Sequence, residues 1–150
     1  MGIESSSAAI LASFVAGAGR IEPLLSISWN EFSFDSDPNY GDNELPAAPR
    51  YAIRGEVLYR LRSFYVGPTL DLVGERFADF ANTYSVDSYV LVGLRAGYQT
   101  ERWECFAEAR NLADEEYIAT VNVLNEAAPD ARVLYPGAPR SVYAGLRFRF

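Results

Sequence analysis

Apolar and polar side chains alternate along most of this chain, in seven runs at about residues 3–15, 21–34, 50–61, 64–76, 86–99, 102–111 and 140–150. Successive side chains of a strand point to opposite faces, so each run predicts a strand with one apolar and one polar face. In the last run Val142, Ala144, Leu146, Phe148 and Phe150 share a face opposite Ser141, Tyr143, Gly145, Arg147 and Arg149. In the fifth, Val90, Val92, Leu94, Ala96 and Tyr98 oppose Tyr89, Gly93, Arg95, Gly97 and Gln99. The third sets Tyr51, Ile53, Val57 and Tyr59 against Arg54, Glu56 and Arg60; the fourth sets Phe64, Val66, Leu70 and Leu72 against Tyr65, Thr69 and Asp71. The first run is the weakest, because Ser5 to Ala12 fits a helix nearly as well as a strand.

Most of these runs exceed the five or six residues usual in soluble sheets, whereas a tilted membrane strand needs ~9–11. The connections alternate in length. Those around Ala16 to Arg20, Leu61 to Ser63 and Thr100-Glu101 are short, and those at about 35–49, 77–85 and 112–139 are long and polar. Short turns at one rim and long loops at the other mark an outer-membrane barrel. The expected fold class is therefore all-β: an antiparallel transmembrane β-barrel sheet of about seven strands, with periplasmic turns and extracellular loops. A soluble ligand-binding barrel has the same period two, but strand length, loop asymmetry and an aromatic carboxy-terminus favour the membrane.

Composition narrows the function classes. The chain has 150 residues, enough for one domain, and 14% aromatics, in keeping with the interfacial girdles of membrane barrels. A net charge of −7 excludes a nucleic-acid partner, which would require a basic face. With no His and one Cys, neither a zinc site nor a disulfide framework can form; Cys105 reads as a small hydrophobe on an apolar strand face. No catalytic set is present: His is missing for a conventional triad, and there is no Gly-x-Ser-x-Gly. The loop Asp35 to Glu44 opens like a calcium loop, but Tyr40 stands at the required Gly and Pro46 at the bidentate Glu. No metal site and no cofactor are expected. The first residues lack a secretory signal pattern, so for an exported protein the front end is expected to lie elsewhere.

Two stretches carry a family resemblance. Phe106 to Tyr117, with Asn111-Leu112, Asp114 and Tyr117, resembles the segment before the last strand of TonB-dependent outer-membrane receptors, with spacing one residue longer. Tyr135 to Phe150, with Pro136-Gly137, Pro139-Arg140 and an aromatic strand, is similar to that family's terminal signature. Leu45 to Tyr51 resembles the entry of an earlier strand, and the similarity runs from about Phe32 onward. The resemblance implies part of a plugged barrel of about 22 strands. On size, residues 1–150 are expected to be the carboxy-terminal segment of such a barrel, without its plug domain. It further implies a receptor of the Gram-negative outer membrane, not an enzyme, importing a ferric siderophore or another iron complex. The implied partners are the lipid bilayer and lipopolysaccharide, the outer-membrane barrel assembly machinery, TonB through the plug, and the iron-complex ligand. Two alternatives stay open in the sequence: a self-sufficient small outer-membrane barrel serving as anchor or adhesin, and a soluble ligand-binding β-barrel.

Site expectations follow from the faces. Tyr143, Gly145, Phe148 and Phe150 look like the assembly signal of outer-membrane barrels. Arg54, Asp71, Arg95, Glu104, Glu108, Arg147 and Arg149 are expected on a charged lumen wall. They would either pair to solvate that wall or form a basic track for an anionic substrate. Short turns predict Arg54 near Asp71, and Arg95 opposite Phe106 with Glu104 and Glu108 diagonal to it. The acidic loop 112–139 would cover the rim or help capture ligand.

Overall fold

A computed structural model describes residues 2–127 and 134–149. In chain order the strands are β1 (Gly2–Leu11), β2 (Phe14–Ala16), β3 (Gly19–Ser33), β4 (Tyr51–Leu61), β5 (Phe64–Val73), β6 (Arg76–Phe77), β7 (Ser85–Val86), β8 (Tyr89–Gln99), β9 (Trp103–Arg110), β10 (Ile118–Val121), β11 (Leu134–Pro136) and β12 (Ser141–Phe148). The seven long strands form one antiparallel sheet in the order β1-β3-β4-β5-β8-β9-β12, and β2 continues β1 along β3. The ambiguous first run is a strand: Gly2 to Leu11 pair residue by residue with Ser33 to Leu24. The break between β1 and β2 falls opposite Pro23, which has no N–H to donate.

Period two is kept on β4, β5, β8, β9 and β12, while Leu11 and Leu24 of β1 and β3 break it by pairing on the polar face. Ile27, Ile53, Leu72 and Val90 lie side by side across β3, β4, β5 and β8, so the apolar positions of neighbouring strands share one face. That face ends in aromatic pairs at both rims: Trp29 with Tyr51 on the long-loop side, and Phe64 with Tyr98 and Trp103 with Phe148 on the turn side. Their ring centroids are 6.0, 4.7 and 4.5 Å apart. Two aromatic rows bounding an exposed apolar band are the outer surface of a membrane barrel. On the other face, rings fill the space above glycines. Tyr65 lies over Gly97 and Phe106 over Gly145, each where an added Cβ would collide with the ring. Each ring covers sheet that its glycine leaves bare.

The turns explain the register. Leu61 pairs with Phe64 across a two-residue turn in which Arg62 takes a positive φ of 54°, and this fixes Arg54 opposite Asp71. The β8–β9 turn is longer than expected, with Gln99 opposite Glu104. Arg95 therefore faces Glu108, and it is Gly97 that faces Phe106.

A one-layer sheet has little interior, and the burial pattern reflects that. Of the buried hydrophobic residues among those described, Ala78, Val86 and Val121 cluster in the long connections, with Ile118 and Leu134 packed on them. The connections read from sequence as long polar loops thus contain two small hairpins, β6–β7 and β10–β11, built around a shared core.

The face assignment predicts a sharp asymmetry between neighbours. Leu94 is 44% exposed on the apolar face, so Leu94→Arg in the membrane-inserted barrel should cost ~2–4 kcal/mol near the midplane. Arg95→Ala, on the wet face, should cost only ~1 kcal/mol. Urea unfolding of both variants in lipid vesicles checks this, and equal tolerance would reverse the assigned faces.

Candidate functional site

The polar face borders a trough of about 560 Å³ lined by Arg54, Glu56, Asp71, Arg95, Glu108 and Tyr143. Its charges pair across strands. Arg54 meets Asp71 at 3.1 Å, Arg60 meets Glu22 at 3.1 Å, and Arg95 meets Glu56 at 3.2 Å. Glu104 takes both Arg147 at 3.0 Å and Arg149 at 3.6 Å, while Arg110 and Glu108 pair along their own strand at 2.6 Å. Arg95 thus reaches over Gly67 of β5 to a carboxylate on β4, although Glu108 stands directly opposite it on β9. The guanidinium groups of Arg60 and Arg95 lie 4.9 and 5.9 Å from the Tyr65 ring centre. In contact with water each such pair contributes only ~0–1 kcal/mol. The wall is thereby charged yet nearly neutralised locally, a surface that water or a polar body can fill.

Of the terminal-strand residues singled out in the sequence, Tyr143 lies on the polar face with Arg110 5.2 Å from its ring centre. Gly145 sits under Phe106, and Phe148 joins the turn-side aromatic row with Trp103. Phe150 lies outside the described residues. Cys105 is a free thiol on the exposed apolar face.

Above the trough the three long connections are fastened together. Asp79 is fully buried, and its carboxylate accepts the Thr83 hydroxyl, the N–H groups of Thr83 at 3.0 Å and Tyr84 at 3.2 Å, and the Ala127 N–H at 3.0 Å. Burial works against this charge, but the four hydrogen bonds outweigh it and hold the carboxyl below the usual carboxylate range. Asn82, at a positive φ of 55° that Asn tolerates, accepts the Glu44 N–H at 2.7 Å and donates to the Glu44 carbonyl at 2.9 Å. Arg76, 5% exposed, donates to the Ile118 carbonyl at 2.7 Å. The carboxylates of the loop Asp35 to Glu44 serve the loop itself: Asp37 caps Asn39 and Tyr40, Asp42 accepts the Ser36 N–H, and Glu44 pairs with Arg50. Among the described residues no group of His, Cys, Asp and Glu is arranged to hold a metal ion. A second cavity, about 580 Å³, opens between Tyr84 to Ser88, Asp114 to Ile118, and Pro136 to Pro139. Asp130 and Arg132 of the acidic loop lie outside the described residues.

The two sequence signatures meet at the base of the third connection. Asn111, buried at a positive φ of 52°, donates to the carbonyls of Glu115 at 2.9 Å and Ala138 at 3.1 Å, and accepts the Glu115 N–H at 2.8 Å. Asp114 accepts the Arg140 N–H at 3.0 Å and its guanidinium at 3.3 Å, and the Tyr117 ring covers Gly137, where no Cβ could fit. The N–H and guanidinium of Arg140 hold the Asp114 carboxyl below the usual carboxylate range. The paired motifs therefore form a clasp that closes the loop stem beside β12. Limited proteolysis should find the 111–140 loop opened ~10-fold or more in Asn111→Ala, since each stranded buried group costs about 1–3 kcal/mol. Arg140→Ala, an exposed pair, should change cleavage only ~3-fold. A depressed carboxyl stabilises above its unfolded value, so the clasp should hold at neutral pH and loosen only as pH falls below about 4.

The family model described as TonB dependent receptor-like, beta-barrel matches residues 2–112. The match starts well before Phe32, where the motif resemblance begins, and takes in β1 to β9. The ferric yersiniabactin uptake receptor FyuA of Yersinia pestis has a similar structure, with a TM-score of 0.69 and 21% identity, over 99% of this chain and 24% of its own. The siderophore receptor PiuA of Acinetobacter baumannii gives 0.67 and 20%, over 97% of this chain and 21% of its own. The ferric-catecholate import receptor Fiu of E. coli K12 gives 0.67 and 17%, over 99% and 21%. The chain spans about a fifth to a quarter of the length of these receptors. At such identities the structures establish the shared fold, and with the family model covering most of the chain, this protein belongs to the TonB-dependent receptor β-barrel family.

Proposed function

We propose that residues 1–150 form the carboxy-terminal part of the barrel wall of a TonB-dependent receptor that imports a ferric siderophore or another iron complex. Barrels of this family lie in the Gram-negative outer membrane and serve transport, not catalysis. One observation carries the reading: the family's barrel match takes in β1 to β9 of a sheet whose outermost strands, β1 and β12, each pair on one side only among the described residues. In hydrocarbon every unpaired backbone group costs several kcal/mol, so these edges call for further strands to complete the cylinder. A self-sufficient small barrel would require β1 to pair with β12, and the strand order keeps them at opposite ends. The soluble-barrel alternative leaves the two lipid-type aromatic rows without a role.

In this reading the apolar face meets lipid and lipopolysaccharide, and the terminal strand with Tyr143, Gly145, Phe148 and Phe150 is read by the assembly machinery. Arg54, Asp71, Arg95, Glu104, Glu108, Arg147 and Arg149 face the lumen, and TonB acts through a plug supplied by another part of the receptor. The iron cargo is supported by the named substrates of the similar structures, which are receptors for siderophores and ferric complexes. The near-neutral pairing of the wall supports a solvated lumen over a basic track. Disrupting the encoding gene in iron-starved cells should reduce uptake of one radio-iron siderophore to background. The intact gene should restore it only where TonB is present. Undiminished uptake across a panel of ferric siderophores would contradict the iron assignment.

A further inference from the structure

We propose that the apolar face holds one anionic phospholipid at its turn side, with an acyl chain in a hollow of the wall and the phosphate between Arg62 and Arg102. The site rests on the membrane reading given above, which places the turn side in the periplasmic leaflet. The hollow, about 620 Å³, lies on the outer face across β4, β5, β8, β9 and β12. Its floor is a line of short side chains, because Ala96, Ala107 and Ala144 are paired neighbours on three adjacent strands. Larger residues stand around them. Val66 pairs with Ala96 on one side, the Phe64 and Tyr98 rings close the turn end, and Leu94 stands one apolar position further from the turns. Water in such a hollow would find few polar partners, so on a lipid-facing wall it is filled by hydrocarbon.

Charge selects the headgroup. Among the described residues three exposed arginines form no ion pair, Arg20, Arg62 and Arg102, and all three stand at the turn side. Every other exposed arginine described has a carboxylate partner. Arg62 occupies the tight turn after β4 and Arg102 the turn before β9, and the Gln99 N–H donates to the Ser63 carbonyl at 2.7 Å, tying the two turns together. These turns lie two strand spacings apart, ~10 Å, which two arginine side chains bridge onto one phosphate. Glu101 is the one carboxylate in the two turns, and it pairs with neither arginine. The aromatic row of Phe64, Tyr98 and Trp103 marks the level of the headgroups, so the guanidinium groups stand at phosphate depth. Ala107 lies five residues beyond Arg102, ~17 Å along the strand and ~12 Å deep at a tilt of about 45°, inside the turn-side half of a ~30 Å hydrocarbon core. A chain of net charge −7 exerts no general attraction on anions, so the preference is local to these turns.

The test is contact quenching by brominated lipid in phosphatidylcholine vesicles, on the membrane-inserted receptor that contains this chain. In a Cys105→Ala background, bimane on Leu94→Cys reports the edge of the hollow, and bimane on Val90→Cys, nearer the long-loop rim of the same strand, serves as control. At the first position, half-quenching by dibrominated phosphatidylglycerol should need a mole fraction roughly fivefold lower than by dibrominated phosphatidylcholine. At the second, the two lipids should quench alike. Arg62→Gln combined with Arg102→Gln should erase the difference, and Ala107→Leu, which fills the floor and keeps both arginines, should reduce it. Equal quenching by the two lipids beside the hollow, or a preference that survives either change, would overturn the site while leaving the lipid-facing wall intact. Quenching by neither lipid at both positions would overturn the membrane reading itself, and the site with it.

Discussion

Within a bilayer a backbone N–H or C=O has no water to bond, so each must find its partner inside the protein. The rest of this structure depends on that constraint. It demands long continuous strands, and β3, β4, β5 and β8 each run ten residues or more. It also gathers most irregular backbone at the rims, where the two-residue turns and the long connections lie, the break between β1 and β2 opposite Pro23 being an exception. It makes the outer edges of β1 and β12 untenable in lipid unless other strands cover them. The open sheet and the receptor family thus express one requirement seen from two sides.

Once the backbone is satisfied, side chains sort by solvent. The apolar face needs no interior packing, because lipid covers it, and this is why large apolar residues such as Leu94 and Val142 are left exposed. The polar face is held by exchange of charge between strands, by rings laid over glycines, and by little else. Among the described residues a buried cluster forms above the membrane, where the connections fold in water and gather around Ala78, Val86 and Val121; in the wall, Leu58 and Tyr65 are buried singly. The molecule therefore divides into a wall stabilised by backbone pairing and a cap stabilised by packing and buried hydrogen bonds.

Most of the wall was legible in the sequence because period two survives on β4, β5, β8, β9 and β12, though not on β1, and the Arg54–Asp71 pair was legible because a two-residue turn leaves no choice of register. The partner of Arg95 was not. The β8–β9 turn holds two more residues than assumed, and a long side chain can pass over Gly67 to the next strand but one. The signature pair near Asn111 and Arg140 was visible as a motif, but its mechanism, one side chain stitching residues 27 positions apart, appears only in three dimensions. The cap was least legible. β6, β7, β10 and β11 are two to four residues long, too short to show a period, and their core joins residues that local sequence does not connect.

The central claim is that one face of this sheet touches lipid and the other water, and spin labelling along β8 tests it most directly. In a Cys105→Ala background, single nitroxides at Val90, Leu91, Val92, Leu94 and Arg95 of the membrane-inserted receptor would be read for collision with oxygen and with a polar nickel chelate. Oxygen contact should dominate at Val90, Val92 and Leu94, and chelate contact at Leu91 and Arg95, following the register with β5. Alternation of the opposite phase, or chelate contact at all five positions, would contradict the account.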